Sequence, residues 1–318
     1  MKKLKVFSAY LLLQLLFVGC SASVQLPEYT SAEEAYNQGR YQTALTFINR
    51  AIEIQKDQSE FYVLRAKSNY KIDNKNLAMD DLNKSLEIEN TFNARYLRGK
   101  IFLEFNELEK AKQDLREAYN LNSESADLLF DLGYLEYLEG ENQLALEYYT
   151  KASKLNSRNP ATYVNLGNLY AMMGDSKTAI DNYSKALVLD TTDGIAYYNR
   201  ANEKMLLGDF AGAIEDYENS LLIDSVNIST LFVLAEAKIK VNDISGALNN
   251  YNSILKLDTT SAKAFYFRGS TEVLLKKFDK ACTDFKKAGE LGYFDAYEMI
   301  KKYCDPKKKS PKKKTRKK

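Results

Sequence analysis

One alanine recurs through most of this sequence at a nearly constant interval. Successive members of the series lie 34 residues from one another, except for one interval of 33. The members are Ala44, Ala78, Ala111, Ala145, Ala179, Ala213, Ala247 and Ala281. A fixed period of this length is typical of a chain that stacks copies of one small unit, because no single copy can bury its own apolar face. The sequence therefore predicts a repeat architecture.

A second set of small residues keeps the same period. Twelve residues before each alanine lies a glycine or another alanine, namely Ala32, Ala66, Gly99, Gly133, Gly167, Ala201, Ala235 and Gly269. Small side chains are needed where two helix backbones approach closely. Apolar residues also recur at three- and four-residue spacing in two segments of each copy, which is the pattern of an amphipathic helix. Each copy is therefore predicted to be a hairpin of two helices.

The ends of the predicted helices carry residues with matching local preferences. Favourable N-cap residues recur every 34 residues at Ser125, Asn159, Asp193, Asn227 and Ser261. Several breaks between paired helices contain a glycine that can adopt the left-handed conformation, and these are Gly39, Gly140, Gly174 and Gly208. Capping and chain reversal therefore agree with the hairpin prediction.

The stretch from Asn165 to Tyr170, followed by Ala179 and Ala186, resembles the tetratricopeptide repeat (TPR). The resemblance implies an all-α fold, a right-handed TPR superhelix (α-solenoid) of about eight helix-turn-helix repeats. These repeats would occupy residues 31–291, with the first one truncated. A C-terminal capping helix is expected over residues 292–304, with one apolar face formed by Phe294, Tyr297, Ile300 and Cys304.

The N-terminal residues have the pattern of an export signal. A short basic segment precedes an apolar run that is too short to span a bilayer comfortably. The run ends at Gly19 and Cys20, which resemble the lipobox of bacterial lipoproteins. The resemblance implies a signal peptide at residues 1–19, a diacylglyceryl group on Cys20 and a tether at residues 20–30. Ser21 after the cysteine implies the outer membrane, facing the periplasm. The alternative is an ordinary secretory signal with a coincidental cysteine.

The opposite end of the chain is strongly basic. Residues 307–318, which run from Lys307 to Lys318, contain eight Lys and one Arg, whereas the net charge of the whole chain is only +2. With prolines at 306 and 311, this composition predicts a disordered basic tail at residues 305–318. Such a tail could bind anionic lipid headgroups, polysaccharide phosphates or an acidic protein. Export argues against nucleic acid. The alternative is a tail that only aids solubility.

Two cysteines remain after the proposed lipidation. Cys282 follows the marker alanine of the last repeat, at a position that faces inward in the other copies, and Cys304 lies on the apolar face of the capping helix. In an oxidising compartment these residues are expected to form a disulfide. The alternative is a pair of buried free thiols. With no histidine in the chain, we expect no metal site.

The first helix of each repeat carries the candidate binding residues. In the TPR family these helices line a concave groove that takes peptides or partner helices. The groove candidates are Tyr96, Lys100, Phe130, Tyr134, Asn165, Asn168, Tyr198, Asn199, Asn202, Phe232 and Tyr266. Aromatic rings give contact area at low entropic cost, and asparagine can both donate to and accept from an extended backbone. The alternative role of these aromatics is packing between helices.

These features predict a binding protein with no catalytic residues and no cofactor. The absence of histidine excludes histidine-based nucleophile pairs and proton shuttles. We expect a lipid-anchored scaffold of the bacterial envelope that holds a protein or peptide partner in its groove. One alternative is a polyanion-binding envelope protein that acts through the basic tail. Another is a soluble intracellular TPR co-factor, if the signal is spurious.

Overall fold

The structure, a computed structural model, describes residues 26–304. The predicted signal peptide, Cys20, most of the tether and the basic tail lie outside these residues. The described chain is α-helical without strands and divides after Ser123 into two compact units. No helix within residues 26–304 combines the length and the hydrophobicity that crossing a bilayer requires.

The first unit contains six of the helices. They are α1 (Pro27–Asn37), α2 (Tyr41–Ile54), α3 (Ser59–Lys71), α4 (Lys75–Ile88), α5 (Phe92–Glu104) and α6 (Leu108–Leu121). Each odd-numbered helix forms a hairpin with the helix that follows it, and within the unit each hairpin packs on the next.

The second unit continues the same pattern and ends in a lone helix. Its first helices are α7 (Ala126–Leu138), α8 (Asn142–Leu155), α9 (Pro160–Met172), α10 (Ser176–Leu189), α11 (Gly194–Leu206) and α12 (Phe210–Ile223). They are followed by α13 (Ile228–Lys240), α14 (Ile244–Leu257), α15 (Ala262–Leu274), α16 (Phe278–Glu290) and α17 (Asp295–Tyr303). Hairpins α7–α8 to α15–α16 pack in series, and α17 packs on α16.

The periodic small residues lie where the two helices of a hairpin touch. All eight marker alanines are completely buried. At Gly167 an added Cβ would lie 2.6 Å from the ring of Tyr183, which real Cβ atoms do not tolerate. The predicted N-caps are confirmed, since each of those five side chains accepts a hydrogen bond from a backbone N–H in the first turn of its helix. The hairpin prediction is therefore confirmed, together with the all-α fold.

Four hairpins share a buried ion pair that the sequence analysis did not find. An arginine on the first helix donates two hydrogen bonds to an aspartate sixteen residues later on the second helix, at distances of 2.6 to 3.0 Å. The pairs are Arg65–Asp81, Arg98–Asp114, Arg200–Asp216 and Arg268–Asp284. In each case the remaining guanidinium nitrogen donates to Asn49, Asn83, Ser184 or Asn252 on the preceding hairpin. One side chain thus joins three helices.

The other hairpins of the second unit fill the same position with leucine. Leu132, Leu166 and Leu234 replace the arginine and are buried. The residue sixteen positions later is then Tyr148, Asn182 or Asn250 instead of aspartate. A buried carboxylate without its guanidinium would be strongly destabilising, so the two positions have to change together.

The first helix begins earlier than predicted. We expected a tether through residue 30, but α1 begins at Pro27, because proline suits the first helical turn. The ring of Tyr29 stacks on that of Phe61 in α3, with centroids 4.8 Å apart. The tether prediction is therefore wrong for residues 27–30, which are part of the packed first unit.

The capping helix is present, but its buried face is not entirely the predicted one. Ala296 is fully buried, and Ile300 and Cys304 pack against the same core. Phe294 and Tyr297, which we placed on this face, are 75% and 53% exposed. The helix is rotated so that the smaller Ala296 can approach α16 closely.

The two described cysteines are joined in the structure. Cys282 on α16 and Cys304, directly after α17, form a disulfide with a Cα–Cα distance of 5.6 Å. This is the pair expected from the sequence. The bond ties the end of α17 to the first turns of α16, which fixes the capping helix on the last hairpin.

Candidate functional site

The predicted groove residues all lie on the first helix of a hairpin. In the first unit, Tyr96 and Lys100 are one turn apart on α5 and both are half-buried. The ring of Tyr96 stacks on that of Phe92, with centroids 5.8 Å apart. This pair therefore forms a small half-exposed patch of the first unit.

In the second unit, most of the aromatic candidates pack against a second helix. Each ring contacts an aromatic ring nineteen residues later in the same hairpin. The centroid distances are 5.5 Å for Phe130–Tyr149, 5.8 Å for Tyr198–Tyr217, 6.0 Å for Phe232–Tyr251 and 5.9 Å for Tyr266–Phe285. These four side chains are half-buried and contribute to packing. Tyr134 is 42% exposed and remains the most accessible aromatic of the predicted set.

The asparagine candidates are held in fixed orientations by buried tyrosines. The hydroxyl of Tyr183 donates to Oδ1 of Asn168 at 2.7 Å, and Nδ2 of Asn199 donates to the same oxygen at 3.1 Å. Burial raises the pKa of the Tyr183 hydroxyl above its ordinary value, so that it stays protonated and donates. Because Oδ1 of Asn168 accepts both bonds, the amide cannot flip, and Nδ2 is left as the donor for a ligand.

The next hairpin repeats this arrangement. The hydroxyl of Tyr217 donates to Oδ1 of Asn202 at 2.6 Å, and burial again raises its pKa. Between two neighbouring hairpins, the side chain of Asn165 on α9 interacts with the hydroxyl of Tyr149 on α8. The asparagine side chains therefore have structural partners inside the protein, which the sequence did not indicate. In Asn168 and Asn202 the tyrosine hydroxyl uses Oδ1, and Nδ2 remains available to donate to a ligand.

An apolar stripe of the second unit escaped the sequence analysis. Leu138, Met172, Leu206 and Leu274 occupy the ends of four first helices and are 41%, 59%, 75% and 56% exposed. Each lies one helical turn after Tyr134, Asn168, Asn202 or Ser270. They keep the 34-residue period, interrupted at Lys240, so the same count that revealed the alanines could have found them. We call these eight residues the first-helix face.

On the first-helix face, Asn168 and Asn202 place hydrogen-bonding groups between apolar side chains, whereas the hydroxyl oxygen of Ser270 is buried. An extended peptide offers backbone donors and acceptors on one side and side chains on the other, which is the combination that such a face can bind. The part of the chain that the structure describes contains no group of three or more Cys, Asp and Glu side chains placed to hold a metal ion.

A series of helix hairpins, with an exposed periodic face in the second unit, defines an α-helical repeat protein. Matches to repeat-family profiles identify the kind of repeat. A TPR repeat matches residues 133–174, and a tetratricopeptide repeat matches residues 92–125, 160–193 and 195–227. The matched segments between residues 92 and 227 are therefore tetratricopeptide repeats, which confirms the resemblance stated from the sequence. This fold is typical of non-catalytic protein-interaction scaffolds.

Solved structures show the same fold. The C-terminal part of a TPR repeat-containing protein from Cytophaga hutchinsonii is 21% identical, with a TM-score of 0.58 over 74% of this chain and 97% of that one. The pilF protein of Pseudomonas aeruginosa is 19% identical, with a TM-score of 0.57 over 67% and 97%. YrrB, described as a TPR protein with an unusual peptide-binding site, is 23% identical, with a TM-score of 0.54 over 59% and 97%. No curated protein matches the sequence.

Proposed function

We propose that this protein is a lipid-anchored scaffold of the bacterial envelope that binds an extended peptide segment of a partner protein along the first-helix face. The observation that carries the proposal is the pairing, on consecutive first helices, of an orientation-locked asparagine amide with an exposed apolar side chain. Asn168 with Met172 and Asn202 with Leu206 repeat this pairing at the helical spacing of one turn.

A peptide suits this face better than a small molecule. Equivalent groups lie one hairpin apart, so they can engage successive parts of a long ligand but cannot converge on a compact one. Locked amides lose little conformational freedom on binding, which lowers the entropic cost of each hydrogen bond. The peptide-binding site reported for YrrB, which shares the fold, supports the proposal by analogy.

Site-specific crosslinking tests the face directly. A photoreactive amino acid at Leu206 should crosslink a partner protein in intact envelopes. The matched control is Leu222, which is 84% exposed against 75% for Leu206 but lies on the second helix of its hairpin, α12. Equal capture from both positions would show that exposure alone, and not the first-helix face, selects the partner.

Placing a charged residue at the same two positions tests whether binding of the partner is lost. Leu206→Asp should weaken partner recovery at least tenfold, since burying one carboxylate in an apolar contact costs well over about 1.4 kcal/mol. Leu222→Asp should leave recovery unchanged. Both side chains are largely exposed, so neither substitution should alter the thermal unfolding of the protein.

The anchoring part of the proposal rests on Gly19 and Cys20. Two acyl chains on the cysteine would give stable membrane attachment, and Ser21 supports the outer membrane, with the repeats facing the periplasm. Cys20→Ala should move the protein from the membrane to the soluble fraction while leaving peptide binding intact. If the wild-type protein already fractionates as soluble, the lipid anchor is excluded and the intracellular alternative is favoured.

Deleting residues 307–318 separates the scaffold from the tail-based alternative. The peptide partner should remain bound after the deletion and be lost with Leu206→Asp. The opposite result, binding that is lost with the tail and survives Leu206→Asp, would favour a polyanion-binding protein in which the repeats serve as a spacer.

A further inference from the structure

The last hairpin and the capping helix border an open cavity whose chemistry differs from that of the first-helix face. The cavity has a volume of about 730 Å³ and is bordered by Lys276, Lys277, Lys280 and Lys302. All four lysines are exposed. One acidic residue, Asp279, shares the lining. We call this region the lysine pocket.

The lysines of this pocket outnumber the acids around it. Among residues 26–304, none of the four has a carboxylate oxygen within ion-pairing distance, whereas Lys204 and Lys238 of the same unit do. The buried carboxylate of Glu272 lies close enough to interact electrostatically with Lys277 and Lys280, without contacting either. With four lysines and one carboxylate in its lining, the pocket carries a net positive charge that attracts an external anion.

The sequence places these charges where the fold disfavours them. The residue between the helices of a hairpin has positive φ, and Gly174 and Gly208 fill this position in the middle of the unit, but Lys276 fills it here with φ of 59°. Lys277 then occupies the N-cap of α16 without forming a capping hydrogen bond. A cation at a helix N-terminus also opposes the helix dipole. Local stability does not explain this choice of residues.

Aromatic rings accompany the lysines. Phe278 and Tyr303 stack beside the pocket, with centroids 6.1 Å apart. Phe294, directly before α17, is 75% exposed, and Tyr297 is 53% exposed although its ring lies beside Gly289 of α16. Lys301, which is also exposed, follows Tyr297 at helical spacing. Exposed aromatics beside lysines are typical of a surface that lies at the interface of a bilayer, where the rings sit at headgroup level and the amines meet phosphates.

We propose that the lysine pocket and the exposed residues Phe294, Tyr297 and Lys301 dock on an anionic lipid bilayer. The four lysines bind lipid phosphates, and Phe294 and Tyr297 enter the interfacial layer. Residues 307–318, which lie outside the described part of the chain, carry nine further positive charges. This surface acts separately from the first-helix face, so the proposal does not depend on peptide binding.

A bilayer fits these observations better than a soluble polyanion. A linear polyphosphate would use the lysines but would gain nothing from two exposed aromatic side chains. Lysine, a strongly hydrated point charge, also suits phosphates that present no fixed geometry, while arginine would be expected for bidentate recognition of one phosphate.

A photoreactive phosphatidylcholine, present as a tracer in every vesicle, tests the proposal on the full-length chain. Vesicles of phosphatidylglycerol and phosphatidylcholine carry the reactive lipid, and mass spectrometry maps the labelled residues. Mapping the label avoids confusion with attachment through the N-terminus. We expect labelling of α17 and the start of α16 that disappears in pure phosphatidylcholine. Labelling elsewhere on the chain, with none on these helices, would overturn the proposal.

Charge-matched variants define the role of the pocket. Replacing Lys276, Lys277, Lys280 and Lys302 by Gln should reduce labelling of α17 by about 100-fold or more, since each lysine near an anionic surface contributes roughly fivefold. The control replaces four exposed lysines elsewhere in the unit by Gln, namely Lys154, Lys177, Lys240 and Lys256. Equal loss in both variants would show that total charge, not this pocket, determines binding.

The aromatic residues distinguish a bilayer from a soluble polyanion. Phe294→Ser with Tyr297→Ser should reduce vesicle labelling severalfold without changing the affinity for inorganic polyphosphate. Because the ring of Tyr297 lies beside Gly289 of α16, circular dichroism and thermal unfolding verify that the fold is retained. Vesicle labelling that is insensitive to this double substitution, together with tight polyphosphate binding, would replace the bilayer by a soluble polyanion.

Discussion

The middle and the end of the second unit use the same hairpin for different purposes. In the middle, Asp175 and Asp209 cap the second helices of α9–α10 and α11–α12, and glycine makes the reversal before each cap. At the end, lysines occupy both positions in hairpin α15–α16. A disulfide then ties the capping helix to that hairpin.

This difference shows which residues serve the fold and which do not. Because each hairpin has equivalents in the same chain, a residue that departs from the local preference stands out against an internal reference. Departures of this kind concentrate at functional surfaces, where local stability is given up for another interaction. The middle hairpins follow the preferences and present the first-helix face, whereas the last hairpin departs from them and carries the lysine pocket.

The largest expected effect comes from replacing only the arginine of the arginine–aspartate pair in the last hairpin by the leucine found in a middle hairpin. Arg268→Leu leaves Asp284, which is 5% exposed, without its guanidinium, and should cost about 3–5 kcal/mol of unfolding free energy. Adding Asp284→Asn reproduces the Leu166 and Asn182 combination of the middle, and should recover most of that loss. Urea unfolding of both variants, followed by circular dichroism, measures the difference. A double variant as unstable as the single one would contradict this explanation of the paired substitution.

Removing the disulfide should loosen only the end of the second unit. Cys282→Ser with Cys304→Ser opens a loop with a sequence separation of 22 residues, which corresponds to a loss of about 3 kcal/mol. Hydrogen exchange should show lower protection of α17 and unchanged protection of α9 to α12. In the wild-type protein, reduction should add one hydrogen to the mass for each of the two sulfurs. An unchanged mass would mean that the thiols are free.

A reciprocal exchange of turn residues tests the backbone difference. Lys276→Gly should stabilise the protein by up to about 1 kcal/mol, because glycine adopts positive φ without the steric penalty of a side chain. Gly174→Lys should destabilise it by about 1–2 kcal/mol for the same reason. Thermal unfolding of the two variants gives the signs. Two changes of the same sign would show that the turn conformation is not what separates the two hairpins.

The smallest expected effect on stability concerns a buried carboxylate in the last hairpin of the second unit. Glu272 is 8% exposed, and one of its oxygens has no hydrogen-bond partner. Burial raises its pKa, with Asp284 adding to the effect, while Arg268, Lys280 and Lys277 oppose it. The folded state therefore binds the proton more tightly than the unfolded state, and stability falls as pH rises from 4.5, the ordinary value, through the raised pKa.

Glu272→Gln should accordingly raise the melting temperature at neutral pH and lose this advantage in acid, below pH 4.5. Glu215→Gln, at an exposed position of α12 in the middle of the unit, is the matched control for the loss of one negative charge. A stabilisation by Glu272→Gln that is the same at acid and neutral pH would exclude desolvation of the carboxylate as its cause.

Much of the fold followed from local regularities. The marker alanines, the N-caps at Asn159 and Asp193, and the glycine turns were predictable because each depends on residues within one helix turn or one hairpin. The start of α1 was misplaced because Tyr29 is ordered by stacking on Phe61, more than thirty residues away. The face of α17 was misjudged because helical spacing gives a periodicity but does not say which side a neighbouring helix covers.

The candidate site was predictable in position but not in detail. The sequence placed Asn168 and Asn202 on the right helices, and the exposed stripe from Leu138 to Leu274 keeps a period that the sequence already contains. The sequence did not indicate that tyrosine hydroxyls donate to the oxygen of each amide, because those hydroxyls come from another helix. The arginine–aspartate pairs were missed for the same reason, although their sixteen-residue interval is visible in the chain.

The sequence by itself determined that this protein is a series of helix hairpins, since apolar spacing and small residues act over short distances and recur in every copy. Only the tertiary structure decided which polar groups are hydrogen-bonded inside the protein and which remain available to a ligand. A hydrogen bond between side chains on different helices depends on how those helices pack. The free amides of the first-helix face and the uncompensated lysines at the end of the unit are therefore properties of the packed chain.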